Sequence, residues 1–377
     1  MSHLKKQENK AGTWIECLER TRPVFEGAED FSVWLSGDKS LQAFEKVRES
    51  FERDYDMLSV EMDFIFTDDG EMPRRTEKTL ALIKKWHKGN HPPVLAAMAA
   101  LAMERFGLAE IKNKNLCGGV LAACILGDFK NDLPYHNNLH FCKVMLHTIR
   151  MIAAHNRIFE GLSLAFSERE TACLLAAAAI HDFAHDGTRN LADHQYHFAK
   201  IEQRSFGLAK PFLEKSGLDK DLLEDIRVML MTTDVSPFGD PISPANQLAA
   251  AYEYHYGTSD SEELSLSPEL SILEERGDLC MLAMTLHEAD LMNSAGLDYA
   301  MTTYETALLV EEIGKSDAYP EDVILFLETI CRDGMTTDAG QELGAENFRK
   351  IFDQAITDFR NGNNPYPRPE DALFLKD

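Results

Sequence analysis

The sequence predicts an all-α protein of compact multi-helix type. Apolar residues recur at helical spacing along most of the 377 residues, and several stretches carry helix-capping residues. No stretch alternates apolar and polar residues between hairpin turns, as antiparallel strands would. With 44% apolar residues, the chain can bury a large core, and its length allows one large domain or two ordinary ones.

The first part of the chain contains an amphipathic helix followed by a charged, turn-rich stretch. In SLQAFEKVRESFERDYDMLSV the apolar stripe consists of Leu41, Phe44, Val47, Phe51 and Leu58. The stretch TDDGEMPRR, around residues 68–75, is predicted to be a hinge. Residues 1–90 could serve as a dimerisation helix, as a lid or as packing for the domain that follows, and the sequence does not choose among these roles.

Two of the next helices show their boundaries. HPPVLAAMAALAMERFG has Pro92 and Pro93 for a first helical turn and Gly107 for a C-terminal cap. Ser167 and Glu170 have the spacing of a capping box. The TACLLAAAAI that follows is apolar on every side, which predicts a central, buried helix.

Later helices complete the domain organisation. They are predicted at DLLEDIRVMLMTT, DLCMLAMTLHEADLMN, LDYAMTTYETALLVEEI, EDVILFLETICR and ENFRKIFDQAITDF. The proline-rich NGNNPYPRPED indicates an irregular end. We therefore expect an N-terminal helical segment over residues 1–90, a main domain over 91–360 and an irregular tail over 361–377.

Charge and composition limit the partners. The formal net charge is -25 and the pI about 4.9, so broad binding to nucleic-acid polymers or anionic membranes is not expected. A small anionic substrate is still allowed, because a bound metal can reverse the local charge. The seven cysteines occur singly, which favours a reducing compartment. No apolar run reaches the roughly 18–20 residues of a membrane span, and we expect a cytoplasmic protein.

The buried helix leads directly into HDFAHDG, which contains His181, Asp182 and His185. A carboxylate at the end of an apolar helix is costly unless its charge is neutralised. An Arg or Lys partner could neutralise it. A divalent cation is the alternative, since imidazole nitrogen and carboxylate oxygen are its common ligands.

Two further segments contain ligand-type residues in helical surroundings. LCMLAMTLHEADLMN contains His287 and Asp290, and PYHNNLHF contains His136 and His140, one helical turn apart. Helix bundles build metal centres from side chains that project inward from facing helices. Such a set could be formed here from three helices by His140, His181, Asp182 and Asp290.

These motifs carry a resemblance to a known family. YHN-x-x-H at 135–140, HD-x-x-H-x-G-x-x-N at 181–190 and H-x-A-D-L at 287–291 occur in the order typical of the catalytic domain of class I cyclic nucleotide phosphodiesterases. This family belongs to the HD superfamily of metal-dependent phosphohydrolases. The resemblance extends over roughly residues 91–360. It implies metal-dependent hydrolysis of the 3'-phosphoester bond of a 3',5'-cyclic nucleotide to the 5'-monophosphate.

The resemblance also implies a role for each motif residue. A tightly held zinc ion would be bound by His140, His181, Asp182 and Asp290, and Asp182 would bridge to a second ion, Mg²⁺ or Mn²⁺. A hydroxide between the two metals would attack phosphorus while His136 protonates the leaving oxygen as general acid. His185 would lie close to that hydroxide. Supporting positions around the site are Tyr135, Asn137, Glu202 and Thr233.

The purine pocket departs from the family pattern. Family members hold the base with a glutamine and a phenylalanine three residues later, but here Gln341 is followed at that distance by Gly344, and Phe348 is the nearest aromatic residue. Asn293 resembles the asparagine of cAMP-selective members and favours cAMP over cGMP. The substrate-binding candidates are therefore Asn293, Gln341 and Phe348.

Other positions near the motifs also differ from the family. Asp186 stands where many members have proline, and Arg204-Ser205 stands where they have two histidines. Asp186 adds a negative charge near the expected metals. These departures affect the expected substrate more than the expected metal chemistry.

Several other functions remain compatible with the sequence. The chain could be an HD-type phosphohydrolase for another nucleotide or phosphodiester, or a catalytically silent nucleotide-binding module. A purely structural helical scaffold would leave Asp182 and Asp290 buried without neutralisation. A catalytically silent relative has usually lost a metal ligand or the general acid. Here all four expected metal ligands and His136 are present. A homodimer is also compatible with the sequence.

Overall fold

The computed structural model is almost entirely helical, as predicted. It describes residues 2–26, 37–67, 71–89, 92–192, 195–257, 264–332 and 334–375. The helices of these ranges are α1 (Ser2–Phe25), α2 (Gly37–Glu61), α3 (Asp63–Phe66), α4 (Met72–Lys88), α5 (Leu95–Arg105), α6 (Lys114–Gly127), α7 (Asn138–Ile158), α8 (Glu168–Ile180), α9 (Lys200–Ser216), α10 (Lys220–Met231), α11 (Pro244–Tyr256), α12 (Gly277–Ala295), α13 (Tyr299–Glu312), α14 (Pro320–Thr329) and α15 (Asp338–Arg360).

Little else in the described chain is regular. One short antiparallel hairpin pairs β1 (Leu191–Ala192) with β2 (Gln195–Tyr196). Short 3-10 turns occur at Ile111–Asn113, Ser271–Glu274, Pro369–Asp371 and Leu373–Leu375. Across the described ranges, no helix combines the length and the apolar character needed to cross a lipid bilayer.

Helix α8 lies at the centre of the bundle, as its composition predicts. The predicted capping box is present: the Ser167 side chain accepts from the Glu170 amide, and the Ser167 amide donates to the Glu170 carboxylate at 2.7 Å. Every residue from Thr171 to Ile180 is buried. Helices α6, α7, α10 and α12 pack around it, so the residues that follow Ile180 emerge among the core helices.

Helix α5 begins later than its prolines suggest. Its first residue is Leu95, so Pro92 and Pro93 precede the first turn instead of forming it, and that prediction is wrong. Side chains from distant parts of the chain stabilise this start, because Asp54 of α2 accepts from the Val94 amide at 3.1 Å, and Asp128, directly after α6, accepts from the Leu95 amide at 3.4 Å. The predicted end is confirmed, since Gly107 has a φ of 76° just beyond the helix.

The N-terminal helices pack on the rest of the molecule. Helix α1 contacts α2, α6 and α9, α2 contacts α5 and α6, and α4 contacts α7 and α15. Phe25 stacks on Phe212 with ring centroids 5.0 Å apart, within the same hydrophobic core that contains α8. The described helices of residues 1–90 therefore pack on the rest of the chain, and the role of this segment stays a prediction. The proposed hinge falls partly on residues 68–70, outside the described ranges, and α4 already begins at Met72.

The C-terminal tail is a packed element although it has little regular structure. Phe374 is only 4% exposed. Its ring packs against His87 of α4 and Tyr304 of α13, with centroid separations of 5.5 Å in both cases. The tail therefore links the N-terminal segment to the second half of the bundle.

A buried ion pair joins α7 to α13 and leads to a stability prediction. Lys143 Nζ lies 2.7 Å from Glu305 Oε1, and the two side chains are 2% and 1% exposed. Replacing Glu305 with Gln leaves the ammonium group buried without its counter-charge. We expect this change to lower the free energy of unfolding by about 3–5 kcal/mol, as measured by urea denaturation.

Two comparisons test that explanation. Glu16→Gln removes one partner of an exposed pair with Arg20, whose side chains are 62% and 63% exposed, and should leave the urea midpoint nearly unchanged. The double variant K143M/E305M removes both charges and should recover most of the stability lost in E305Q. An E305Q protein that unfolds at the parent's urea concentration would contradict the prediction.

Candidate active site

The motif PYHNNLHF forms the start of α7, and two asparagines hold it in place. Asn137 is the N-cap: its side-chain oxygen accepts from the Leu139 and His140 amides at 3.0 and 3.1 Å. Asn138 was not predicted to matter. Its side chain donates to the Gly127 carbonyl at 3.0 Å and to the Phe129 carbonyl at 2.8 Å. These bonds tie α7 to the end of α6 and fix the direction in which His140 points.

The four residues expected to bind a metal converge on one point. His140 comes from the first turn of α7, His181 and Asp182 directly follow α8, and Asp290 comes from α12. The His140 and His181 Nε2 atoms lie 3.2 Å apart. Asp182 Oδ2 is 3.4 and 3.1 Å from these two nitrogens, and Asp290 Oδ1 is 3.3 and 3.7 Å from them.

These separations fit a cation at the centre. Zinc ligands at roughly 2.0–2.2 Å in a tetrahedron lie roughly 3.3–3.6 Å from one another, close to the observed distances between 3.1 and 3.7 Å. His181 Nδ1 is 2.9 Å from the Ala178 carbonyl. A proton on Nδ1 would donate to that carbonyl and leave the Nε2 lone pair directed at the cluster. The five distances leave out the pair Asp182–Asp290, and the group whose ligand atoms all lie close enough to hold a metal ion consists of His140, His181 and Asp182. Asp290 lies beside this group, within 3.3 and 3.7 Å of the two histidine nitrogens.

The carboxylates of the cluster favour a positive charge beside them. Burial favours the neutral imidazole of His181, but the carboxylates of Asp182 and Asp290 outweigh burial and raise its pKa to about 9. Burial likewise opposes ionisation of Asp182, yet the facing histidines hold its pKa well below the usual range. Without a cation, the carboxylates would thus be balanced by protonated imidazole. A divalent ion would supply the same charge.

His136 lies beside this cluster and pairs with Glu312. Its Nε2 is 3.8 Å from Asp182 Oδ2, and its Nδ1 is 2.5 Å from Glu312 Oε1. The other oxygen of Glu312 accepts from the backbone amides of Tyr135 and His136 at 2.9 and 3.0 Å. Burial lowers the pKa of His136, but Asp182 and Glu312 raise it more, so the net shift is upward.

The pairing of His136 with Glu312 is a hydrogen bond and not half of a second metal site. His136, His185 and Glu312 are close enough to be considered as a ligand set. However, the 2.5 Å between Nδ1 and Oε1 is much shorter than the roughly 3.3 Å that separates neighbouring ligands of a tetrahedral zinc ion. A short contact between an imidazole nitrogen and a carboxylate oxygen indicates a hydrogen bond between them, which is strengthened when the imidazole is charged.

Sequence reasoning missed Glu312. The sequence suggested only that a carboxylate near His136 would favour its protonated form, and it named none. Glu312 is the last residue of α13, 176 residues after His136. It belongs to no motif, and the neighbouring Glu311 has the same side chain, so nothing in the one sequence distinguishes it.

His185 stacks on His136 and stays neutral. The two rings are nearly parallel at 18°, with centroids 4.1 Å apart. Burial lowers the pKa of His185 to about 4, and the charge on His136 acts in the same direction. Its Nδ1 accepts from the Gly187 amide at 3.1 Å. The structure thus brings His185 to the proposed acid.

Two departures from the family pattern pair with each other. Asp186 forms an ion pair with Arg204, and its carboxylate also accepts from the Thr188 amide at 3.1 Å. Burial opposes ionisation of Asp186, but these partners lower its pKa to about 2. Ser205, the second altered residue, donates to the Phe183 carbonyl at 2.6 Å. The extra carboxylate near the cluster is therefore already neutralised by the protein.

The remaining supporting residues make the following contacts. Glu202 is 7% exposed and accepts from Asn190 at 2.9 Å, and burial raises its pKa well above the usual range. The Thr233 hydroxyl donates to the Leu230 carbonyl at 2.8 Å. The Tyr135 ring packs against the His136 and His140 rings, with centroids 4.7 and 4.8 Å away.

The three substrate-binding candidates lie in different environments. Asn293 is 1% exposed, and neither atom of its side-chain amide has a hydrogen-bond partner. Gln341 donates to the Met335 carbonyl. Phe348 is 7% exposed and packs in a hydrophobic cluster with Phe352. Its ring is committed to the protein core, so stacking on a base would require it to move.

Close packing around Gly344 explains why a small residue stands at this position. A Cβ atom at this position would lie 3.1 Å from Met292 Sδ and 3.4 Å from Gly296 Cα. A larger residue three positions after Gln341 would therefore require the side chains of Met292 and Met335 to shift. The departure from the family pattern is built into the packing of α15.

Comparison with known proteins gives one family match. The sequence profile of the family described as 3'5'-cyclic nucleotide phosphodiesterase matches residues 135–315. No curated protein matches the chain. One similar solved structure is the phosphodiesterase domain of Salpingoeca rosetta rhodopsin phosphodiesterase, with 19% identity, 71% of this chain and 89% of that chain covered, and a TM-score of 0.48. A second structure of that choanoflagellate domain has 19% identity, coverages of 79% and 96%, and a TM-score of 0.45.

Proposed function

We propose that this chain, which belongs to the 3'5'-cyclic nucleotide phosphodiesterase family through residues 135–315, hydrolyses the 3'-phosphoester bond of a 3',5'-cyclic nucleotide, with cAMP preferred over cGMP. One observation carries the proposal. His136 Nε2 lies 3.8 Å from Asp182 Oδ2, so a proton donor stands beside the cluster of ligand-type groups. Hydrolysis of a phosphodiester with a poor alkoxide leaving group needs both charge neutralisation and a proton.

The donor set supports a specific cofactor assignment. His140, His181, Asp182 and Asp290 would hold a tightly bound zinc ion, because two imidazole nitrogens and two carboxylate oxygens suit it. Asp182 would also contact a second ion, Mg²⁺ or Mn²⁺, which prefer oxygen ligands and retain water. When bound, the two ions would offset the charge of the phosphodiester and make a water molecule acidic enough to act as nucleophile.

His136 would donate the proton that the leaving group needs. As the bond between phosphorus and the 3'-oxygen breaks, the proton on Nε2 moves to that oxygen and gives the 3'-hydroxyl. Glu312 would hold the ring through Nδ1 and favour the charged imidazole. The stacked His185, whose pKa is lowered to about 4, adds no competing positive charge near neutral pH.

The supporting residues would fix the positions of these groups. Asn137 would orient the first turn of α7 through its cap, and the ring of Tyr135 would limit movement of His136 and His140. Glu202 would accept from water on the second ion, and Thr233 would stabilise the turn after α10. Gln341 and Phe348 would form part of the base pocket after local rearrangement.

Asn293 would contribute to the preference for cAMP, and this gives a testable prediction. Its amide is one helical turn beyond Asp290 and lies near His147, and an amide at this place could donate to or accept from the edge of a purine. We expect Asn293→Ala to lower kcat/KM for cAMP about tenfold, the value of one hydrogen bond of about 1.4 kcal/mol, with a smaller loss for cGMP. Initial rates with both nucleotides provide the measurement. Equal losses would remove the selectivity role.

One experiment tests the main proposal. The purified full chain is assayed with Mg²⁺ or Mn²⁺ against cyclic and linear nucleotides, and bound metal is quantified in the same sample. Turnover of cAMP or cGMP with a tightly bound zinc ion is expected. Turnover of another nucleotide alone would favour an HD-type phosphohydrolase of different specificity, and binding without turnover would favour a silent module. A metal-free, inactive protein would leave only the scaffold.

A further inference from the structure

A buried carboxylate joins the helix of Asp290 to the helix that carries Gln341. Glu288 lies in α12, two residues before Asp290, and is only 3% exposed. Its Oε1 accepts from the Thr336 and Thr337 amides, the second at 3.0 Å, and its Oε2 accepts from the Thr337 hydroxyl at 2.5 Å. Glu288 therefore fastens the N-terminal end of α15 to α12.

The Thr337 hydroxyl extends this network into the first turn of α15. It accepts from the Gly340 amide at 2.9 Å while it donates to Glu288. A Cβ atom at position 340 would be too close to Glu288 Oε2 for either group to keep its place. The carboxylate at position 288 and the glycine at position 340 are thus matched to each other.

One peptide group connects Glu288 to the side chain of Gln341. The N–H of Thr336 donates to Glu288 Oε1, and the carbonyl of the same peptide group, which belongs to Met335, accepts from Gln341 Nε2. In a trans peptide the N–H and the C=O lie in one plane and point in opposite directions. Because Glu288 fixes the N–H, it also fixes the direction of the carbonyl that meets Gln341.

The Met335 carbonyl determines the orientation of the Gln341 amide. A carbonyl oxygen only accepts, so the NH₂ group of Gln341 must face it, and Gln341 Oε1 is turned away. Gln341 is an exposed residue, so its amide oxygen is left as an acceptor for a ligand. Adenine presents an exocyclic amino group, which donates, where guanine presents an oxo group, which accepts.

We propose that Glu288 is a positioning residue that fixes the Gln341 amide through the peptide group between Met335 and Thr336, and that this arrangement selects an adenine base over a guanine base. The proposal rests on the proposed function, in which Gln341 belongs to the base pocket. Gln341 Oε1 would accept from the adenine amino group and would repel the guanine oxygen. Glu288 itself would touch neither substrate nor metal, and the rearrangement that the pocket needs would fall on Phe348.

Glu288→Gln tests this role in steady-state kinetics. The variant keeps the size of the side chain, but an amide does not accept from all three donors. With the peptide group released, KM for cAMP should rise about tenfold, the value of one hydrogen bond, while kcat stays within about twofold. KM for cGMP should change little, so the ratio of kcat/KM for cAMP to that for cGMP falls about tenfold. Bound metal should match the parent.

Two further variants separate positioning from folding. Glu346→Gln is the same change on α15, at an exposed carboxylate that pairs with Lys350, and it should retain the parent's KM values. Gly340→Ala displaces the Glu288 carboxylate from its donors by a second route, and alanine favours a helix. It should therefore reproduce the loss of selectivity in a folded protein. Lower stability of Glu288→Gln and Gly340→Ala with an unchanged ratio would show a merely structural role and would overturn the proposal.

Hydrogen exchange tests the contact without turnover. The Thr336 and Thr337 amides should exchange faster in Glu288→Gln than in the parent, because the carboxylate that protects them is lost. They should exchange at the parent's rate in Glu346→Gln. Unchanged exchange at these amides in Glu288→Gln would overturn the connection to Gln341, whatever the activity of the chain.

The kinetic outcomes distinguish this proposal from the proposed function. If the parent hydrolyses cyclic nucleotides and Glu288→Gln keeps the parent's selectivity, the positioning role alone fails. An equal rise of KM for cAMP and cGMP, or a parent that prefers cGMP, would overturn the selection of adenine. If the parent turns over no cyclic nucleotide, the proposed function fails and the selectivity fails with it.

Discussion

Asp182→Asn is expected to lower kcat/KM by about a thousandfold and to reduce the bound metal. In the parent, Asp182 Oδ2 lies 3.1 Å from His181 Nε2. The change keeps the shape of the Asp182 side chain but removes its negative charge from the cluster. Cations that neutralise a transferring phosphoryl group supply several kcal/mol, and about 4 kcal/mol corresponds to a factor of a thousand. Steady-state kinetics and elemental analysis of the same preparation measure both effects. Asp290→Asn should behave similarly.

A matched control separates loss of metal from loss of folding. Asp225→Asn is the same chemical change at a buried residue, 7% exposed, that pairs with Arg276 and belongs to none of the site motifs. It should retain the parent's metal content and kcat/KM. An Asp182→Asn protein that keeps both full activity and full metal content would contradict the assignment of this carboxylate to the metal centre.

Glu312→Gln is expected to lower kcat about a hundredfold and to change its pH dependence. A positioned general acid contributes a factor of roughly 10²–10⁴, and the amide keeps the size of the carboxylate without its charge. Burial lowers the pKa of His136, while Asp182 and Glu312 raise it above its usual value near 6.5. The protonated acid therefore persists to higher pH in the parent. Removing the Glu312 charge lowers that pKa, so the alkaline limb of the kcat profile should move to lower pH.

The complementary change is at His136 itself. His136→Asn should remove the alkaline limb that this residue causes, and it should leave metal content unchanged because His136 is not one of the four proposed ligands. Profiles of kcat against pH for the parent and both variants make the comparison. If Glu312→Gln has the same alkaline limb as the parent, Glu312 does not tune the acid, and its role is limited to holding the loop before α7.

The ion pair between Asp186 and Arg204 shows how the chain tolerates its departures from the family pattern. Taken singly, a carboxylate close to His185 and the absence of two histidines would each alter the charge around the proposed metal site. In the structure these two changes compensate each other, because Arg204 forms an ion pair with Asp186 and neutralises its charge. The cluster of His140, His181, Asp182 and Asp290 is left with its own charge balance.

The sequence by itself determined the helical class, the central helix and the motif residues. Helical periodicity and the Ser167–Glu170 capping box are local signals, because they depend on side chains three or four residues apart. The apolar surroundings of Asp182 and Asp290 are equally local, and they marked these carboxylates as needing a partner. Both inferences follow from short-range chemistry that one sequence displays.

Only the tertiary structure decided which distant groups meet. Glu312 reaches His136 across 176 residues, Asp54 and Asp128 set the start of α5 from other helices, and Arg75 approaches Arg150 from the N-terminal segment. Long-range contacts such as these leave no periodic trace in a sequence. They arise because helix packing brings charged side chains from distant parts of the chain together. That packing depends on the shapes of side chains throughout the core.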